Sequence, residues 1–287
     1  MRRRFFMFSI LQIRAKARQT IAETPGAYLL ALIPIILNII IQLIASAQSN
    51  SWALQLASNP TPDLSFLISS SAFPFLYGIL ADLMTLSISL ALFQVIYHYR
   101  DSVNFKDSFT LFSHQRFGSI LATYLLKSLF LFLWGLISII GFSIMFGGLI
   151  VAFMTAIFNQ PSEDIVAVAG IMILLGSLMG VAGIALLLPQ VYAYFLVEPL
   201  LFDQLAQDTY TGPFAVIKES RRLMKGYKMK GFILNLSFIG WEILVALSFG
   251  IVGIYVIPYY CASHMHFYQA VLDDRAMKEK LFQGTMP

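Results

Sequence analysis

Along the chain, long apolar runs alternate with short polar stretches that hold nearly every basic residue. Tyr28 to Ala47 forms the first run and Phe75 to Tyr97 the second, each close to the ~20 residues that a transmembrane helix needs. Residues 119–158 make one apolar tract of 40. As a single straight helix it would be about 60 Å long, roughly twice the hydrocarbon thickness. The tract is expected to bend, break or project from the bilayer, with Gly141, Gly147 and Gly148 as its weak points. Residues 165–197 give a fourth run, interrupted by Pro189. The last apolar stretch, 232–272, is too long for one crossing and contains Gly250, Gly253 and Pro258. It splits into a pair, 232–249 and 253–272. The pattern predicts an all-α polytopic membrane protein of about six transmembrane helices, with the third and fourth segments kinked or broken.

Composition agrees with this pattern. Of 287 residues, 58% are hydrophobic and 12% charged, and the mean hydropathy is +0.76. A soluble domain carries about 25% charge, so this chain lacks the polar surface to coat a water-soluble globule. Cys261 is the only cysteine, which excludes an intramolecular disulfide. The N-terminus carries arginines on both sides of a short apolar patch with no small-residue cleavage site, so it reads as retained.

Charge then orients the helices. Segment 1–26 holds Arg2, Arg3, Arg4, Arg14, Lys16 and Arg18, and segment 98–118 holds Arg100, Lys106 and Arg116. Segment 198–231 and the tail after 272 hold every remaining lysine and arginine except Lys127. The intervening segments 48–73 and 159–164 have none, only Asp63, Glu163 and Asp164. Positive residues concentrate on cytoplasmic loops. The alternation therefore predicts cytoplasmic N- and C-termini and six crossings; a five-helix alternative leaves the tail outside.

The chain accordingly divides into a basic amphipathic interfacial segment (1–26), a helical membrane domain (27–272) that includes the cytoplasmic helix and loop 198–231, and a cytoplasmic tail (273–287). In the first segment Phe6, Ile10, Ile13, Ala17 and Ile21 share one helical stripe, with Arg14, Lys16 and Arg18 off it. Such a helix can lie among anionic headgroups, or it can be an ordinary positively charged flank. In TGPFAVIKESRRLMKGYK, Pro213 suits a first helical position and Gly226 a stop. Its Arg221, Arg222, Lys225 and Lys228 are candidate headgroup contacts together with Arg14, Lys16 and Arg18. Nothing accompanies them that resembles a nucleic-acid recognition module.

The run from Ala215 to Leu272 carries a further signal. The helix around Ser220, the turn Met224 to Gly226, LSFIGW at 236–241, Gly250 to Gly253, Pro258-Tyr259 and Phe267-Tyr268 together form a C-terminal signature. It resembles that of a bacterial membrane family, domain of unknown function 975, found mainly in Firmicutes. The RAKAR segment and the helix spacing are compatible with the same family. The resemblance implies a multi-pass protein of the bacterial plasma membrane and brings no established activity or catalytic residue.

The search for chemistry finds no Walker-type glycine loop, no G-x-S-x-G and no H-E-x-x-H. His264 and His266 point in different directions on a helix, which is wrong for chelating one metal. No cofactor is expected. Three charges fall within apolar runs: Asp82, Lys127 and Glu242. An ionised group in hydrocarbon costs ~2.5–3.5 kcal/mol or more unless it finds a partner or water. Counted from the inner ends of their segments, Lys127 and Glu242 reach about 12 and 15 Å, and they are expected to pair across the bundle interior. Such a pair either fixes helix packing or lines a polar path. Two functions follow. One is a non-enzymatic membrane component that binds lipids with anionic headgroups or a membrane-protein partner. The other is a small transporter or permeation pathway using Asp82, Lys127 and Glu242.

Overall fold

The computed structural model describes residues 8–58, 64–158 and 162–282. Arg2, Arg3, Arg4, Phe6, Asp63 and the end of the tail, all used in the sequence reading, lie outside the described residues. Within them the chain is helical and has no strand. In chain order the helices are α1 (Ile10–Glu23), α2 (Leu32–Ser58), α3 (Leu64–Ile96), α4 (Phe117–Ile157), α5 (Glu163–Ala193), α6 (Val197–Ala206), α7 (Pro213–Leu223), α8 (Lys228–Leu236), α9 (Ile239–Leu247) and α10 (Gly253–Phe282). Short 3-10 turns cover Ala27–Ala31 and Phe105–Phe109. The chain forms two compact units: unit 1 is residues 1–117, 198–209 and 230–287, and unit 2 is residues 118–197 and 210–229.

Unit 1 is built on α10. Its Val256, Tyr259, Cys261, Met265, Phe267, Tyr268 and Val271 are all buried. Helix α1 starts at a capping box, in which the Ser9 side chain accepts from the Leu11 amide and the Ser9 amide donates to Gln12. Its apolar stripe, Ile13, Ala17 and Ile21, is buried in the unit and packs toward α10. The apolar stripe, which in sequence suited either a lipid-facing helix or an ordinary basic flank, is thus taken up by protein. Helices α8 and α9 run antiparallel to α10, as successive partners record: Trp241 with Tyr255 at 5.3 Å between ring centroids, Phe238 with Tyr259 at 4.9 Å, and the Tyr260 hydroxyl donating to Asn235 Oδ1 at 3.1 Å.

Unit 2 is a long hairpin with α7 against it. Along the α4–α5 seam, glycines let the two backbones nearly touch. A Cβ at Gly141 would collide with the backbone of Gly180, and one at Gly176 with the backbone of Met145. The Ser138 hydroxyl donates across the same seam to the Gly180 carbonyl at 3.3 Å. Small residues at such spacing allow close helix approach in membranes.

One expectation is narrowed: of the kink or break expected in the third and fourth segments, the break is absent, since α4 is one helix of 41 residues and α5 continues through Pro189. The glycines that looked like weak points in α4 are contact points for α5, and the packing they permit offsets their ~1 kcal/mol propensity cost. The interruption falls instead in the expected fifth helix, between α8 and α9, where Phe238 turns inward and is buried. Among the described residues, five helices are long and apolar enough to cross a membrane, against about six expected: Ala27–Ser46, Leu76–Ile96, Phe117–Ile157, Glu163–Ala206 and Lys228–Leu247. The expected sixth, 253–272, is not among them. Tyrosines, His264, His266 and Gln269 dilute its hydropathy, and it is covered by protein, so it does not need a lipid-compatible surface.

Candidate functional site: a basic helix over an aromatic pocket

Helix α7 begins at Pro213, whose missing N–H costs nothing at a first helical position. It gives way to a turn in which Gly226 takes the left-handed φ of +90°. Both were legible in the sequence. Val216, Ile217, Ser220 and Leu223 face inward, and the Ser220 hydroxyl donates to the Ala193 carbonyl at 3.0 Å. That carbonyl belongs to the last residue of α5, so the bond satisfies one of the orphan acceptors at a helix end. Upstream, Tyr210 lies against the first turns of α4, within 3.3 Å of the Thr123 hydroxyl.

The outward face of α7 carries Lys218, Arg221 and Arg222, with Lys225 in the turn that follows, all exposed. Arg222 is tied to Glu219 at 2.6 Å. Neither Lys218 nor Arg221 has an ion-pair partner among the described residues. Beside these two opens a pocket of about 300 Å³, lined by Phe130, Trp134, Tyr194, Phe214 and Ile217. Phe130 sits 6.4 Å from both Tyr194 and Phe214, edge-on to the latter. Phe214, at 63% exposed, forms the outer lip, and Trp134, at 37%, remains open to a ligand.

The basic residues of α1 fare differently. The Arg14 guanidinium lies over the rings of Phe238 and Tyr259, 5.2 and 5.7 Å from their centroids, and its Nε donates to the Tyr259 hydroxyl at 2.9 Å. Lys16 and Arg18 are exposed. Lys16 borders a wider opening of about 1020 Å³ between α1 and α10, which His266, Gln269, Asp273 and Asp274 also line. Its polar groups engage one another or nearby residues: His266 meets Thr20 at 2.8 Å, and Asp274 pairs with Lys278 at 2.5 Å. Mixed charge leaves this opening without a preference for anions. Lys230 closes its unit from another side, donating to the Phe8 carbonyl at 2.8 Å with its ammonium 3.8 Å from the Phe8 ring centroid.

Of the three charges in apolar runs, Asp82 and Glu242 are exposed and Lys127 is half-buried. Lys127 belongs to unit 2 and Glu242 to unit 1. No cluster of three metal-ligating side chains occurs among the described residues. The aromatic pocket was not foreseen. Phe214, Ile217, Lys218 and Arg221 form a visible helical stripe in the sequence, but Phe130 and Trp134 look like any other apolar residues of a long tract.

A helical chain with five membrane-compatible segments among its described residues and an exposed basic helix is a multi-pass membrane protein. More particularly, it belongs to the family of proteins of unknown function DUF975, whose model matches residues 7–275. No curated protein and no solved structure matches the chain.

Proposed function

We propose that this protein is a non-enzymatic component of the bacterial plasma membrane that binds anionic lipid through the basic face of α7, with both termini cytoplasmic. The observation that carries the reading is the two-sided build of α7. Apolar residues and Ser220 anchor one side, while Lys218, Arg221, Arg222 and Lys225 stand outward immediately before the candidate span Lys228–Leu247. Juxtamembrane lysines and arginines are attracted to anionic lipid by ~1 kcal/mol each. Orientation follows from the positive-inside pattern, and unit 1 offers support of its own. There the N-terminal helix, the 97–116 loop, α6 and the second half of α10 are joined by short bonds: Val103 amide to Pro25 carbonyl at 3.1 Å, Thr20 to His266 at 2.8 Å, and Tyr268 hydroxyl to Asp203 at 2.7 Å. Helix α10 then supplies the return pass that brings the C-terminus back to the side of α1.

Helix α4 fits the same frame without a break. From Trp134 to Ile157 it is about 36 Å long, enough to span the ~30 Å hydrocarbon core. A tryptophan beside basic residues suits an interface, so the part before Trp134 projects toward the cytoplasm. Lys127 then lies about 10 Å on the water side of that tryptophan, and the depth match with Glu242 that motivated a pair is lost.

The test is thermal unfolding in nanodiscs of phosphatidylglycerol against phosphatidylcholine. The wild-type chain is expected to melt higher in phosphatidylglycerol. A variant with Lys218, Arg221, Arg222 and Lys225 all changed to Gln should lose most of that difference. Equal melting of the wild type in both lipids would contradict the proposal.

A further inference from the structure

We propose that the aromatic pocket between α4, the end of α5 and α7 is a discrete site for one anionic glycerophospholipid, with Lys218 and Arg221 holding the phosphodiester and Phe130, Trp134, Tyr194 and Phe214 enclosing the glycerol region. This rests on the lipid-binding reading above but makes a narrower claim. A general basic face attracts many lipids loosely; a pocket selects one.

Three observations converge on it. The pocket is amphipathic in the sense a lipid requires: two cations at one rim and an aromatic and aliphatic floor. Phe214, Lys218 and Arg221 recur at four- and three-residue intervals on α7, so they form one stripe beside the opening. Both cations lack an ion-pair partner among the described residues, whereas Arg222 on the same helix is occupied by Glu219. The volume, about 300 Å³, suits a headgroup and glycerol rather than a whole lipid. The acyl chains continue along the exposed apolar face of α4, where Leu133 and Ile137 flank Trp134. A guanidinium can meet a phosphate with two parallel bonds, and a lysine adds a point charge. Zwitterionic phosphatidylcholine brings its own cation toward Lys218 and Arg221, so the site should discriminate against it.

Trp134 provides the readout. In the full-length chain with Trp52→Phe and Trp241→Phe, Trp134 is the sole tryptophan. The purified protein in detergent is titrated with phosphatidylglycerol or phosphatidylcholine brominated on the acyl chains. Phosphatidylglycerol quenching is expected to saturate at one lipid per chain. Its midpoint should be about tenfold or more lower than that of phosphatidylcholine, the factor that one charged hydrogen bond supplies. Lys218→Gln with Arg221→Gln should raise the midpoint to that of phosphatidylcholine, while Lys106→Gln, at an exposed lysine of unit 1, should leave it in place. Should the single-tryptophan chain fail to fold, native mass spectrometry of the unaltered chain gives the same answer as one phosphatidylglycerol adduct lost on changing Lys218 and Arg221. Equal quenching by both lipids, with phosphatidylglycerol still stabilising the protein in nanodiscs, would overturn the pocket and leave the broader reading standing. Absence of both effects would overturn the two together. Displacement of the brominated lipid by millimolar glycerol phosphate would reassign the site to a soluble phosphate ester.

Discussion

Arg14 illustrates how a surface residue by sequence becomes a half-buried, partnered one by structure. Its Nε bond to Tyr259 and its position over two rings give it a charged hydrogen bond and a partly desolvated cation–π contact. Arg14→Ala is expected to cost about 2 kcal/mol, read as a melting temperature lowered by roughly 4–8 °C in detergent. Arg14→Lys should recover little, because an ammonium lacks the planar fork that both donates to Tyr259 and stacks. Wild-type melting of Arg14→Ala would refute the contact. Lys127 and Glu242 make the opposite case. If α4 sits as proposed, with Lys127 on the water side of Trp134, and with Glu242 exposed on α9, the melting losses of Lys127→Met and Glu242→Gln should add. A double variant more stable than the sum of its parts would restore the expected pair. The sequence pointed to Glu242 because depth can be counted along an apolar run, but it could not mark where the bilayer begins on a helix as long as α4.

At the scale of helices, the glycines of unit 2 separate two roles that look alike in sequence. In α5, a Cβ at Gly176 would meet the Met145 amide and the Gly141 carbonyl, while one at Gly170 would meet nothing within 4 Å. Gly176→Ala is expected to destabilise the hairpin by about 1–3 kcal/mol through overpacking. Gly170→Ala should be neutral or stabilise by up to ~1 kcal/mol, because alanine is the better helix former. Equal effects of the two substitutions, measured by unfolding in the same detergent, would argue against the close seam. Helix class, the start and stop of α7 and the existence of the long apolar segments were all legible, since period, Pro213 and Gly226 act locally. The continuity of α4, the interruption at Phe238 and the burial of α1 against α10 were not. Each depends on a partner distant in sequence: Gly180 for Gly141, Arg14 for Phe238, and α10 for Ile13, Ala17 and Ile21.

For the molecule as a whole, in the orientation proposed above, the basic face of α7 meets the cytoplasmic leaflet and α10 returns the chain to the side from which it started. The polar character of α10 follows from its place: packed by α1, α3 and the Ala27–Ala31 turn, it exposes little to lipid and tolerates His264, His266 and Gln269. The most direct test is cysteine accessibility in a Cys261→Ala background, with single cysteines at Lys225, at Glu279 and, as an outer-side control, at Glu163. An impermeant maleimide applied to intact cells is expected to label Glu163→Cys only, and to label Lys225→Cys and Glu279→Cys once the membrane is permeabilised. Labelling of Glu279→Cys alone in intact cells would mean that α10 does not return. Labelling of Lys225→Cys in intact cells would contradict the central claim, because the basic face of α7 would then lie away from the cytoplasmic leaflet.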